Sequence, residues 1–201
     1  MILAIDTSTA ACSAALFDSS GECIASADEQ IGRGHAERLV PMLDELLSGR
    51  RAERILVGVG PGSFTGIRVG IAAAQGLAIG WDCEIAGMSS LGLIATGVES
   101  GGDIAAAMDG GHGELFVQQF SREGAVSELF NLPPEQAAQC VDAELVAGPA
   151  AERLVEARGS GEAIAAWPSA RHALKLAPEL RSLAPKPIYA RAPDAKARSA
   201  A

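Results

Sequence analysis

Residues 55–59 read Ile-Leu-Val-Gly-Val. Gly60-Pro61-Gly62-Ser63-Phe64-Thr65-Gly66 follows, and then a long apolar stretch rich in Ala, Ile and Gly. Three glycines and a proline within seven residues do not fit the interior of a helix or of a paired strand. The segment therefore predicts a short buried strand (55–59), a tight turn and a helix over 64–80, with Ser63 and Thr65 available to cap it. A strand feeding a helix through a turn is the building unit of mixed α/β proteins.

The rest of the chain extends this pattern. Residues 2–6 form an apolar run suited to a buried strand. Residues 11–17 and 22–28 are strands joined at Asp18-Ser-Ser-Gly21. A helix spans His35 to Leu47 with Leu39, Leu43, Leu46 and Leu47 as its apolar stripe, and Pro41 should disturb it locally. A strand at 84–88 leads to a helix at 89–98 starting at Ser89 or Ser90. After Gly101-Gly102 a strand at 103–109 again closes on Asp (Asp109, as Asp6 closes the first), with further strands at 114–120, 125–130 and 143–147. Helices are expected after Pro133, at 150–157 and at 169–180, with an extended segment at 185–191. The two similar openings predict a duplicated, ribonuclease-H-like architecture: one lobe at 1–100, a smaller one at 101–192, and a mobile tail at 193–201.

Composition narrows the function. The formal charge of −9 and an aromatic content of 4% disfavour a stand-alone nucleic-acid binder. Residues 181–201 carry five cations against Asp194, a local balance of +4, and this basic end reads as a solvated tail or a minor contact with RNA or an acidic partner. Cys12, Cys23, Cys83 and Cys140 form no C-x-x-C pair and match no zinc spacing, which suits a reducing cytosol. No signal peptide is evident. The apolar stretch at 64–81 contains Arg68, Gln75 and several glycines and reads as a buried helix, so no membrane association is expected.

Several residues could carry chemistry. Asp6, followed by Thr7-Ser8-Thr9, could hold a hydrated cation while the turn amides face a phosphate, or could satisfy its own turn as an Asx motif. Asp109-Gly110-Gly111 could be a second phosphate turn or a plain hairpin. Gly60 and Gly62 shape a turn whose amides could bind an anion, but no P-loop Lys follows. Arg68 gains nothing from the helix dipole at its N-terminal position, so a carboxylate partner is expected. Gly66, Gly70 and Ala74 stand at i, i+4 and i+8 and make a flat stripe. That stripe, with Ala73, Leu39 and Leu43, is the expected partner interface, the alternative being packing on the chain's own sheet. His35 has Leu39, not His, four residues on, so the helix lacks a paired metal site.

Taken together, Ile2-Leu-Ala-Ile-Asp-Thr-Ser-Thr9, His35-Ala-Glu-Arg-Leu-Val-Pro41, Gly60–Arg68, Met88-Ser-Ser-Leu91 and Pro187-Ile-Tyr-Ala-Arg191 resemble the motifs of the TsaB (YeaZ) family. The match is dense over 1–95 and sparse beyond. It departs at Asp109-Gly-Gly, where the family usually shows Asp-Ala-Arg. The resemblance implies an actin-like ATPase (ASKHA) fold of two lobes with mixed sheets. It also implies a non-catalytic, cytoplasmic scaffold in making N6-threonylcarbamoyladenosine at position 37 of tRNA. As such the chain would pair with the catalytic subunit TsaD and associate with TsaE, be either a homodimer or a monomer when alone, and meet tRNA only through the complex. In TsaD-like proteins a His-x-x-x-His pair holds the catalytic metal; the matching positions are His35 and Leu39. No cofactor is expected for this subunit alone, and the partner junction is open to ATP or ADP or to neither. The competing expectation is an active actin-fold ATPase or a metallopeptidase-like enzyme using Asp6, Asp109 or His35.

Overall fold

The computed structural model describes residues 1–189. Residues 193–201, the expected tail, and Arg191 lie outside them. The first sheet contains β1 (Ile2–Asp6), β2 (Ala11–Phe17), β3 (Cys23–Gln30), β4 (Arg54–Gly58) and β5 (Glu84–Met88), in the order β3-β2-β1-β4-β5. β1 pairs antiparallel with β2 and parallel with β4. Its continuous apolar sequence, with no polar alternation, reflects cover on both faces. On one side Leu3, Ile5 and Val57 meet α1 (His35–Leu47) and α2 (Phe64–Trp81) through Leu39, Met42 and Ile71. On the other side Ala4 and Leu56 meet Leu93 of α3 (Ser90–Thr96).

The second sheet contains β6 (Ile104–Gly111), β7 (Glu114–Ser121), β8 (Gly124–Ala125), β9 (Phe130–Leu132), β10 (Leu145–Ala147) and β11 (Glu162–Ile164). Its order is β11-β10-β6-β7-β8, with β9 also on β7. Here β6 is antiparallel to β7 and parallel to β10. This repeats the first sheet strand for strand, as a duplicated ribonuclease-H-like plan requires. One face is covered by α4 (Pro134–Ala137) and α5 (Ala151–Arg158), whose Ala137 and Leu154 pack on Leu115 and Val146. The other face meets α3 through Leu91 and Ile94. Helix α3 is thus sandwiched between the sheets, which is why all residues from Ser90 to Ala95 are buried.

The chain after Ile164, assigned from sequence to the second lobe, crosses back to the first. Residues 170–175 lie against β1, β2 and β3, and Leu183 bridges Gly87 at the edge of β5. Three local expectations need correction. The helix at 169–180 is two 3-10 turns, Ala170–Lys175 and Pro178–Arg181. Pro178 holds Ala177 extended, at ψ 145°, and so breaks the helix. The strand at 125–130 leaves the ladder at Ser127, whose hydroxyl accepts from Gln119 N (2.9 Å) in place of a backbone carbonyl. Strand β11 was not foreseen, because three residues among glycines carry no periodicity. Helix α1 runs its full expected length despite Pro41, whose side of the helix faces water, where the unpaired carbonyl one turn earlier can be solvated.

Candidate functional site

The turn after β1 is packed shut by the start of α2. Asp6, 1% exposed, accepts hydrogen bonds at Oδ1 from Ser8 N (2.9 Å) and Ser8 Oγ (2.7 Å), and at Oδ2 from Ser90 Oγ (2.7 Å). Burial pushes this carboxyl above its ordinary range, while the hydrogen bonds from Ser90 and Ser8 pull it back. Thr7 Oγ1 donates to Gly66 O (2.7 Å) and Ser63 N donates to Ser8 O (2.7 Å). A Cβ at Gly62 would overlap Ser8 O, one at Gly66 would overlap Thr7 O, and one at Gly70 would overlap Thr7 Oγ1. Asp6 therefore ties its own turn to α3, and the hydrogen bonds expected of an Asx-type turn are made.

These contacts overturn the expected partner interface. Gly66 and Gly70 face the β1 turn, and Ala74, Leu39 and Leu43 lie in the core at 0%, 0% and 4% exposure. Ala73 is half-buried. The stripe that sequence assigned to a partner is the close-packing contact inside the chain. The outward side of α2 carries a second small-residue row: Ala72, Gly76 and Gly80, with Ile79 84% exposed beside it. A Cβ at Gly76 or Gly80 would meet nothing within 4 Å. Sequence spacing alone did not separate the two rows, because both repeat at i, i+4, i+8.

Within the signature turn, Gly60 and Gly62 have φ of +99° and +147°, which favours glycine at both. Ser63 Oγ accepts from Gly66 N (3.1 Å) and caps α2; Thr65 is exposed and makes no cap. Among the described residues Arg68 meets no carboxylate. Its Nη2 donates to Tyr189 OH (2.6 Å), and its guanidinium stacks 3.3 Å from the Phe64 ring centre. Tyr189 arrives because the C-terminal segment runs along Val59, where Ile188 N donates to Val59 O (2.8 Å). The Tyr in Pro187-Ile-Tyr was the signal, but no local pattern reports a contact 121 residues away.

Between this turn and the far end of β6–β7 lies an open cleft of about 900 Å3. Phe64, Phe116, Trp167 and Tyr189 line it, half of the eight aromatic residues in the chain. Phe116 and Trp167 drew no attention in the sequence, since isolated aromatics carry no spacing signal. Asp109 sits at the rim with its side chain 71% exposed, accepting from Gly111 N (3.0 Å) and lying 3.6 Å from Arg153 Nη1. Asp6 and Asp109 thus differ sharply: one is buried and consumed, the other open to the cleft. His35 is buried with Nε2 3.3 Å from Ala11 O, and among the described residues no group of three His, Cys, Asp or Glu could hold a metal ion. No helix among them is long and apolar enough to cross a membrane.

Comparison with known proteins agrees with this architecture. The family model "TsaD: tRNA N6-adenosine threonylcarbamoyltransferase" matches residues 27–179. The "tRNA threonylcarbamoyladenosine biosynthesis protein TsaB" of Escherichia coli is 39% identical over 130 residues, 61% of this chain and 55% of that protein. That of Haemophilus influenzae is 36% identical over 136 residues, 64% of this chain and 57% of that protein. The matched stretch thus spans a little over half the length of these curated relatives. Among solved structures, YeaZ from Pseudomonas aeruginosa superposes with a TM-score of 0.80 at 31% identity, over 94% of this chain and 98% of that one. A second Pseudomonas aeruginosa structure, an uncharacterized protein with similarity to peptidase YEAZ, gives 0.82 at 32%, over 94% and 99%. With its two mixed sheets in the actin-like (ASKHA) arrangement and its signature turn closed on β1, the chain belongs to the TsaB (YeaZ) family of tRNA threonylcarbamoyladenosine biosynthesis proteins.

Proposed function

We propose that this chain is a non-catalytic, cytoplasmic scaffold subunit for threonylcarbamoyl transfer to tRNA, binding the catalytic subunit TsaD and, with it, TsaE. The observation that carries the reading is the fate of the two places where chemistry would be expected. At the strand-one turn, Asp6 spends its oxygens on Ser8 and Ser90, and Thr7 and Ser8 are docked on α2. On α1, the position that would complete a metal pair is Leu39, at 0% exposure, and His35 faces Ala11 O. Meanwhile α2 offers Ala72, Gly76 and Gly80 as a flat outward row, onto which a helix of TsaD can pack closely. A homodimer of the isolated chain would use the same row. Transfer of t6A precursor to tRNA in a reconstituted mixture tests the reading. The chain alone should make no t6A, and its omission should reduce synthesis by TsaD and TsaE. Tightly bound stoichiometric metal, or ATP turnover by the chain alone, would contradict it.

A second reading draws on the cleft. Its size, its aromatic walls and the exposed Asp109 are those a nucleotide site would use, which keeps an actin-fold ATPase, or an ATP or ADP held at the TsaD junction, in view. Equilibrium dialysis of ATP against the free chain and against its TsaD complex separates these. Micromolar binding by the free chain favours the ATPase, and binding only by the complex favours the junction.

A further inference from the structure

A second cavity, of about 650 Å3, lies on the opposite side of the β6–β7 ladder from the aromatic cleft. The cleft adjoins the end where Asp109 pairs with Leu115, whereas this cavity adjoins the end where Ile104 pairs with Phe120. It is walled by both passages of the chain between the sheets, the outgoing one through Glu99–Gly102 and the returning one through Lys175–Leu180. Its floor is apolar, with Ile104, Phe120 and Leu180.

Three observations give it a chemical character. Arg122 and Lys175 line it, and neither is neutralised by an ion pair among the described residues. Among the described residues the one contact of Arg122 is a long hydrogen bond to Ser100 O (3.4 Å), which leaves most of its donors for a ligand. Gly101 and Gly102 expose bare backbone to the cavity. Neither has a positive φ, and a Cβ at either would meet nothing within 4 Å, so neither backbone conformation nor packing inside the chain requires glycine there. Glu99 also lines the cavity, so the site selects by the placement of its cations over an apolar floor and not by net charge alone.

We propose that this hinge-side cavity binds a small amphipathic anion, a carboxylate or phosphate ester with an apolar body. The anionic head lies between Arg122 and Lys175, and the body covers Ile104, Phe120 and Leu180. Because both crossings wall the site, an occupant joins the outgoing and returning passages. This reading is independent of the scaffold role, since it concerns neither α2 nor the cleft.

Anilinonaphthalene sulfonate, an aromatic body carrying one anion, serves as the probe, titrated by fluorescence into the full chain. The expected result is one saturable site, weakened by at least ~10-fold in the double variant Arg122→Gln, Lys175→Gln, as loss of charge-assisted hydrogen bonds implies. Both side chains are exposed, so the variant's thermal stability should match the parent. The cleft variant Trp167→Ala should bind as the parent does. Equal binding by the double variant, or loss of binding in Trp167→Ala, overturns the proposal. So does displacement of the probe by inorganic phosphate at equal concentration, because the apolar floor would then contribute nothing.

Discussion

Two alanine substitutions ten residues apart on α2 should move stability in opposite directions. At Gly76 a Cβ meets nothing within 4 Å and the backbone is helical. Alanine there gains helix propensity of about 1 kcal/mol and loses no packing. At Gly66 the same propensity gain is available, but the new methyl overlaps Thr7 O, a backbone atom that cannot rotate away. The β1 turn must shift, and with it the Thr7–Gly66, Ser63–Ser8 and Asp6–Ser8 hydrogen bonds. Overpacking of this kind costs about 1–3 kcal/mol, and each weakened hydrogen bond about 1 kcal/mol more. The net expectation is a loss of roughly 3–5 kcal/mol for Gly66→Ala against a gain of about 1 kcal/mol for Gly76→Ala. At roughly 2–4 °C per kcal/mol for a chain of this size, thermal unfolding by circular dichroism resolves both. A Gly66→Ala protein as stable as the parent would refute the packing account of the signature turn. So would a Gly76→Ala protein that loses stability.

Other outcomes follow from the same geometry. Burial raises the folded pKa of Asp6 above its ordinary 3.8, so between that value and the raised one the folded state binds more protons than the unfolded state. The contribution of Asp6 is therefore full below pH 3.8 and declines as pH rises through the folded pKa. Asp6→Asn, which can keep the Ser8 bonds at its oxygen and donate to Ser90 Oγ, should flatten that part of the profile and match or exceed the parent at pH 7. Denaturant titrations across pH check this, and a large loss at pH 7 would show that the ionised form is required. Arg68→Ala should cost only about 0.5–1 kcal/mol, the scale of an exposed cation–π contact; a loss above roughly 3 kcal/mol would point to a buried ionic partner after all. Cys12, fully buried with its thiol pushed up to about 11, should resist a thiol reagent at pH 8 in the native state, while exposed Cys23 reacts. Fast native labelling of Cys12 would indicate local opening of the β2–α1 contact.

Much of the fold was readable because its signals are local. The apolar runs of β1 and β4, the Asp18–Gly21 turn, the Ser63 cap and the leucine stripe of α1 each report their own conformation. The misreadings share a physical cause: they depend on what lies across the fold. A row of small residues says that something approaches closely, but not whether it is the chain itself. On α2 one row meets Thr7 and the other meets solvent. Arg68 advertised a need for a partner, and among the described residues a tyrosine ring and hydroxyl from far along the chain meet it. The cleft was invisible because its aromatic walls come from four separate segments. Asp6 and Asp109 looked equivalent as strand-ending acids, and only the serines around Asp6 distinguish them.

If the chain works, as we propose, by presenting the outward row of α2 to TsaD, calorimetric titration of TsaD into Gly76→Leu should expose it. The leucine side chain projects into open space, so the variant should fold as stably as the parent. Binding should weaken by about 100-fold or more, as a bulky group in a close helix contact implies. Parent-like affinity in a folded Gly76→Leu protein would contradict the account.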